Sequence, residues 1–234
     1  MLLVTGYPKT GNTWMQVLMS YVMNPKAMID GNAPKPNNRI FSHCMPRYNT
    51  DTYKKTLITF PSSVDKTLLL IRHPGDILVS LYMHQVYRES PPMFNGTVDQ
   101  IVHDPVYGLY KFLAYYDWWT HQKTLFKKFH LIRYEDLLAD PYEIFSRALY
   151  SVNIRKSKKV IKDAIEFSKF ENMQKLEKTN HLDWPTLHPA QKKTKKARKV
   201  REGKTGMYKK MLRPETISFI ENKIENKLSP IYQY

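Results

Sequence analysis

The sequence has 234 residues, 42% hydrophobic and 25% charged, which is enough apolar material for one core and too little length for two comfortable domains. That composition excludes a disordered tail, a collagen-like repeat and a disulfide-stapled mini-protein, and Cys44 has no second cysteine to pair with, as expected in a reducing compartment. Lys and Arg number 37 against 21 Asp and Glu, a formal charge of +16, which points to an anionic partner: nucleic acid, a membrane surface or a phosphorylated small molecule.

In chain order, residues 2–5 read as a short buried strand, followed by a glycine loop and an amphipathic helix over about 11–23. Residues 24–38 are rich in Pro, Asn and Gly and read as loop, and 39–42 as a weak strand. The run Thr67-Leu68-Leu69-Leu70-Ile71 is a strong buried strand, ending at Arg72-His73-Pro74, with Pro74 suited to the first turn of a helix over 75–85. A loop opens at Ser90-Pro91-Pro92. Residues 107–125 read as helix and 130–133 as strand, and further helices are expected over 141–150, 157–166, 170–178 and 214–228. Strands alternating with helices imply a three-layer α/β/α architecture around a mostly parallel sheet, with ligands at the carboxyl ends of the strands. No apolar stretch approaches the roughly 20 residues that span a bilayer, and Met1-Leu2-Leu3-Val4 is too short for a signal-peptide core. The expectation is a soluble, cytoplasmic protein whose residues 1–234 form one domain.

Strand, glycine loop and helix start together make an anion site, because backbone N–H groups converge there and the helix dipole favours negative charge. The loop runs Gly6-Tyr7-Pro8-Lys9-Thr10-Gly11-Asn12-Thr13-Trp14. Against the triphosphatase pattern G-x-x-x-x-G-K-[ST], both glycines and Thr13 fit, but Asn12 holds the lysine's place and Lys9 lies three residues earlier. The strong strand ends in Arg72 where a magnesium-holding carboxylate would be expected, so the site is suited to negative charge without a metal. Arg72 offers a fork for a phosphate and Ser80 a hydroxyl. The competing reading pairs Arg72 with Asp76 and leaves Ser80 in solvent.

At these residues the chain resembles the sulfotransferases that use 3′-phosphoadenylyl sulfate (PAPS). The loop from Tyr7 to Trp14 is similar to their 5′-phosphosulfate loop Y-P-K-S-G-T-T-W, and Arg72 with Ser80 resembles their 3′-phosphate motif R-x-P-x-D-x-x-x-S. Tyr134-Glu135-Asp136 matches Y-E-D, Phe170-Glu171-Asn172-Met173 resembles F-x-x-M near the adenine, and Arg201-Glu202-Gly203 resembles the late R-K-G loop. The resemblance implies a P-loop nucleotide-hydrolase-like sulfotransferase fold. It also implies PAPS as donor, 3′,5′-adenosine bisphosphate (PAP) as product, a small-molecule acceptor and no metal. Nucleotide contacts are then expected from Lys9, Thr10, Gly11, Asn12, Thr13, Trp14, Arg72, Ser80, Tyr134, Ser168, Phe170, Met173, Arg201, Glu202 and Gly203. Glu202 departs from the family's lysine, and the family's short dimer motif is not recognisable, so the oligomeric state stays open.

Among eight histidines no pair has metal-ligand spacing. His43 follows the strand at 39–42, where the family carries its catalytic histidine in K-T-H-x-P; here Phe41 replaces the lysine and one residue is inserted before Pro46. A neutral imidazole can take the proton of an alcohol or phenol at cell pH, and Lys9 can stabilise charge on the departing phosphate oxygen. Phe112, Tyr115, Tyr116 and Trp119 form a helical core stripe, while Tyr48, Tyr82, His84 and Phe94 are candidates for the acceptor wall. The basic run from Lys192 to Arg201 contains no acid and reads as a solvated loop, a lid over the phosphates at its Arg201–Gly203 end, or a polyanion-binding patch. It lacks the interleaved aromatics of a nucleic-acid module. The alternatives are a magnesium-dependent P-loop kinase using Glu135 or Asp136, a non-catalytic polyanion or nucleic-acid binder, and a sulfotransferase-like fold without activity.

Overall fold

The computed structural model describes residues 1–33, 41–42, 64–191 and 194–232. The described strands are β1 (Leu2–Gly6), β2 (Phe41–Ser42), β3 (Lys66–Ile71) and β4 (Lys128–Arg133). They form a parallel sheet in the order β2-β1-β3-β4, with Gly6 opposite Leu70 and Ile71 opposite Arg133. Between β1 and β2 come α1 (Asn12–Met23) and α2 (Pro25–Ile29). Between β3 and β4 come α3 (Pro74–Met83), a π-helical turn (His84–Arg88), α4 (Gln100–His103), α5 (Leu109–Gln122) and a 3-10 turn (Lys123–Leu125). After β4 follow α6 (Tyr134–Ala139), α7 (Pro141–Ser151), α8 (Lys158–Phe167), α9 (Phe170–Thr179), α10 (Tyr208–Met211) and α11 (Pro214–Lys227).

Period-two alternation along the strands builds the two core faces. Val4, Leu68, Leu70 and Ile132 pack under α1, α7, α8 and α9 on one side. Leu3, Leu69 and Ile71 pack under α3, α5 and α11 on the other. This is the expected three-layer α/β/α arrangement. The connection leaving β1 therefore lies on one face and the one leaving β3 on the opposite face. The carboxyl ends of these two neighbouring strands make the topological switch point where open α/β sheets bind ligands.

Local readings hold with identifiable shifts. The stripe of Phe112, Tyr115, Tyr116 and Trp119 is fully buried, and so is Trp118, which makes α5 an interior helix. It starts at Leu109 rather than at residue 107, and its tail past Gln122 tightens into the 3-10 turn. The loop expected over 24–38 contains α2: Pro25 fills its first turn and the Asn24 side chain accepts the Ala27 N–H at 3.2 Å. Tyr134-Glu135-Asp136 opens the helix α6, an element not expected from its motif. Residues 39 and 40 of the weak strand lie outside the described residues.

Candidate active site

The loop between β1 and α1 is folded on the carbonyl of Tyr7. That oxygen accepts the Thr10 N–H at 3.2 Å, the Thr10 hydroxyl at 2.7 Å and the Asn12 side-chain amide at 3.0 Å. Lys9 takes a left-handed conformation, φ 76°, to make the turn. Asn12 also donates to Gly6 O at 3.1 Å, so the amide standing where triphosphatases carry lysine stitches the loop together. Gly11 has φ 101° and caps α1 without a side-chain hydrogen bond; a Cβ there would sit 2.7 Å from the Tyr134 ring. Among the described residues no side chain caps the positive end of α1, which borders the site.

Beside this loop, Arg72 leaves β3. Its guanidinium donates to Lys9 O at 3.3 Å and Lys204 O at 2.9 Å, lies 4.3 Å over the Tyr134 ring, and stands 3.8 Å from the Asp76 carboxylate. Asp76 is buried and mainly serves the late loop, accepting the Gly206 and Tyr208 N–H groups at 2.8 and 3.2 Å. Arg72 therefore meets Asp76 only loosely, and Ser80, one helical turn further on α3, faces the cavity instead of solvent. His73 caps α3 by accepting the Gly75 N–H at Nδ1 and stacks on Tyr208 at 4.3 Å. Burial pushes its imidazole down to about 4, so the capping lone pair survives.

These pieces line one cavity of about 710 Å³ at the switch point. Lys9, Gly11, Asn12, Thr13 and Trp14 border it from the first loop, Arg72 and Ser80 from β3 and α3, and Tyr134 from α6. Ser168, Phe170 and Met173 come from the start of α9 and the residues before it, and Arg201, Glu202 and Gly203 from the late loop. Trp14 Nε1 donates to the Ser168 hydroxyl at 3.1 Å. Gly203, at φ 61°, brings the late loop against Phe170, whose ring would be 2.5 Å from an added Cβ. Thr10 is the exception among the expected nucleotide residues. It is completely buried beneath the loop, and its hydroxyl and N–H are both committed to Tyr7 O.

Positive charge is concentrated at the Lys9 end. Burial, together with Lys199, Arg201, Arg88 and Arg72, holds the Lys9 amine well below the ordinary lysine value. His84 lines the same region with its Nε2 2.9 Å from the Glu89 carboxylate. Burial and the charges of Lys9, Lys199, Arg88 and Arg201 outweigh that carboxylate and lower the imidazole to about 3. Such mutual repulsion is relieved by a bound anion and restored by its removal.

Of the expected acceptor residues, His84 reaches the cavity. Tyr82 and Phe94 do not line it; their rings lie edge to face 6.3 Å apart, and Phe94 in turn backs Tyr107, which does line it. His43 and Tyr48 lie outside the described residues. Ser42, just before His43 in the chain, is registered with Thr5, one residue ahead of the Gly6 loop. Three residues escaped the sequence reading: Arg88 and Glu177, which hold the late loop together with Asp76, and Lys199, which lines the cavity. Asp76 sits in the R-x-P-x-D pattern and was visible there; Lys199 was one cation among many. Glu135, the magnesium ligand of the kinase reading, accepts the His73 N–H at 2.9 Å.

The sulfotransferase domain family matches residues 1–231. The chain belongs to the sulfotransferase family and is an enzyme of its PAPS-dependent class. Among curated relatives, flavonol 4′-sulfotransferase of Flaveria chlorifolia is 22% identical over 253 residues, covering 96% of this chain and 78% of that protein. Among solved structures, mouse sulfotransferase SULT7A1 complexed with PAP superposes with TM-score 0.67 at 18% identity, covering 97% of this chain and 83% of that one. Retinol dehydratase in a complex with retinol and PAP gives TM-score 0.68 at 16% identity, covering 98% and 81%. These likenesses establish the fold. No helix among the described residues is long and apolar enough to cross a membrane.

Proposed function

We propose that this chain moves a sulfuryl group from PAPS to a hydroxyl or amine of a small-molecule acceptor, with His43 as general base. The observation that carries the reading is the convergence of Lys9, Arg72, Ser80 and Arg201 on one cavity at the switch point of the sheet. The residues fit the nucleotide. Two cationic ends suit its two phosphate positions: Lys9 with the start of α1, and Arg72 with Ser80 and the Arg201–Gly203 loop. Trp14 and Phe170 offer aromatic surface for the base. Solved relatives hold PAP together with retinol or androsterone, which supports a small apolar alcohol as the acceptor class.

When bound, the donor supplies the transferable sulfuryl group. The chain does the rest. Lys9 and the N–H groups at the start of α1 offset the negative charge that develops on the leaving phosphate oxygen. Arg72 and Ser80 fix the far phosphate and so set the reacting atoms in line. His43 removes the acceptor's proton, help typically worth roughly 10²–10⁴-fold. His84 stays neutral and lines the acceptor side.

Replacing His43 with alanine is expected to abolish transfer while leaving PAP affinity intact. Replacing Lys9 with alanine is expected to weaken both. Isothermal calorimetry with PAP and a sulfuryl-transfer assay on a panel of phenols and alcohols separate the two effects. Unimpaired turnover by His43→Ala removes the base assignment.

A further inference from the structure

Lys199 is a cavity side chain that none of the nucleotide motifs accounts for. Its backbone is held from behind: Glu177 accepts the Lys199 N–H at 2.7 Å on Oε1 and the Val200 N–H at 2.9 Å on Oε2. The same carboxylate receives Arg88, which also donates to Ala197 O at 3.0 Å. The loop is pinned on both sides of Lys199, which is half-buried and borders the cavity. Its ammonium makes no hydrogen bond or ion pair among the described residues. Of the charges that act on Lys9, that of Lys199 is the largest, and Lys9 and Lys199 are the two strongest acting on His84. Lys9, Lys199 and His84 thus share one end of the site.

We propose that Lys199 is a second ammonium for the 5′-phosphosulfate end of the donor, working beside Lys9. The inference rests on the reading of the Tyr7–Trp14 loop as the 5′-phosphosulfate site.

An ammonium partly withdrawn from water without a carboxylate at contact distance carries a desolvation cost, and an anionic ligand offsets it. The charged groups facing Lys199 are Arg88 from the π-helical turn, Glu89 just after it, Glu177 from α9 and Lys9 from the first loop. Burial first, then Arg88, lower its amine to about 8, with Glu177 and Glu89 opposing. At neutral pH Lys199 is still mostly protonated, and a bound anion strengthens its hold on the proton. It neither gives nor takes a proton during transfer; its part is to offset charge on the 5′ side.

Two probes that differ only in the 5′-phosphate test this: PAP and adenosine 3′-monophosphate, titrated calorimetrically. The wild-type chain is expected to favour PAP strongly. In Lys199→Gln the ratio of the two affinities should shrink about tenfold, the scale of one charge-assisted hydrogen bond, while Lys199→Arg keeps most of it. Raising the pH from 7 to 9 should narrow the ratio more in the wild type than in Lys199→Arg, whose charge persists. Because the ratio is internal to each protein, partial unfolding of a variant cancels. An unchanged ratio in Lys199→Gln, whether or not both affinities fall together, overturns the proposal. Failure of the wild-type chain to bind PAP at all overturns instead the functional reading on which it rests.

Discussion

The Arg88 guanidinium meets the Glu177 carboxylate at 2.9 Å, with the side chains only 8% and 4% exposed. The pair joins the π-helical turn to α9 and, through the N–H groups of Lys199 and Val200 and the carbonyls of Ala197 and His188, anchors the stretch that leads into Arg201. Every oxygen of Glu177 is used, and the ion pair is supported by backbone hydrogen bonds, the condition under which a buried pair is retained.

Glu177→Ala leaves a buried guanidinium and two backbone N–H groups without their acceptor. The expected cost is about 3–5 kcal/mol of stability, accompanied by weaker PAP binding as the late loop loses its anchor. Thermal melts in the presence and absence of PAP measure both. A variant that melts like the wild type would contradict the clamp.

Gly203→Ala introduces two faults at one point. The left-handed backbone at φ 61° costs a non-glycine residue about 1 kcal/mol, and the new Cβ collides with the Phe170 ring 2.5 Å away. Because Phe170 borders the cavity proposed for the nucleotide, the damage is expected in PAP affinity more than in melting temperature. Gly206 also has a left-handed φ but nothing within 4 Å of its Cβ position, so Gly206→Ala serves as the control with strain and no collision.

Acid should destabilise the fold through His73. Its ordinary value is 6.5 and its folded value is about 4, so the unfolded chain takes up a proton that the folded chain refuses. The contribution is complete above about pH 6.5 and is lost progressively as pH falls toward 4. His84, lowered to about 3, acts in the same direction over a wider window. Asparagine is itself a preferred N-cap and does not titrate. His73→Asn should therefore keep helix α3 capped while flattening the fall of melting temperature between pH 6.5 and 4; an unchanged pH slope would exclude His73 as a source of that fall.

How much was legible in the sequence depended on the range of the interaction involved. The strands, the glycine loop and the Arg72 strand end follow from local patterns: the run Thr67–Ile71 is apolar throughout, and Gly6, Lys9 and Gly11 mark the turn by spacing alone. α2 was hidden because five residues in a Pro- and Asn-rich setting give no periodicity, although Asn24 and Pro25 were a readable cap and first turn. Thr10 looked like a cavity residue because its neighbours Lys9 and Gly11 are; only the path of the loop turns its hydroxyl onto Tyr7 O. Lys199 could not be told from the other cations of the basic run. What separates it is Glu177, 22 positions back in the sequence, and that contact is a product of the fold. Tyr82 and Phe94 failed as cavity residues for the same reason: aromatic type gives no direction, and their rings pack on each other.

The Lys9 loop is expected to grip a 3′,5′-bisphosphorylated adenosine. Calorimetric titration of the wild-type chain and Lys9→Ala with PAP, and with ATP and magnesium for comparison, tests this most directly. The expected result is one PAP per chain, bound in preference to ATP and weakened by at least tenfold in Lys9→Ala, on the scale of a lost charge-assisted contact. Equal PAP affinity in the two proteins, or tighter binding of magnesium ATP than of PAP by the wild type, would contradict it.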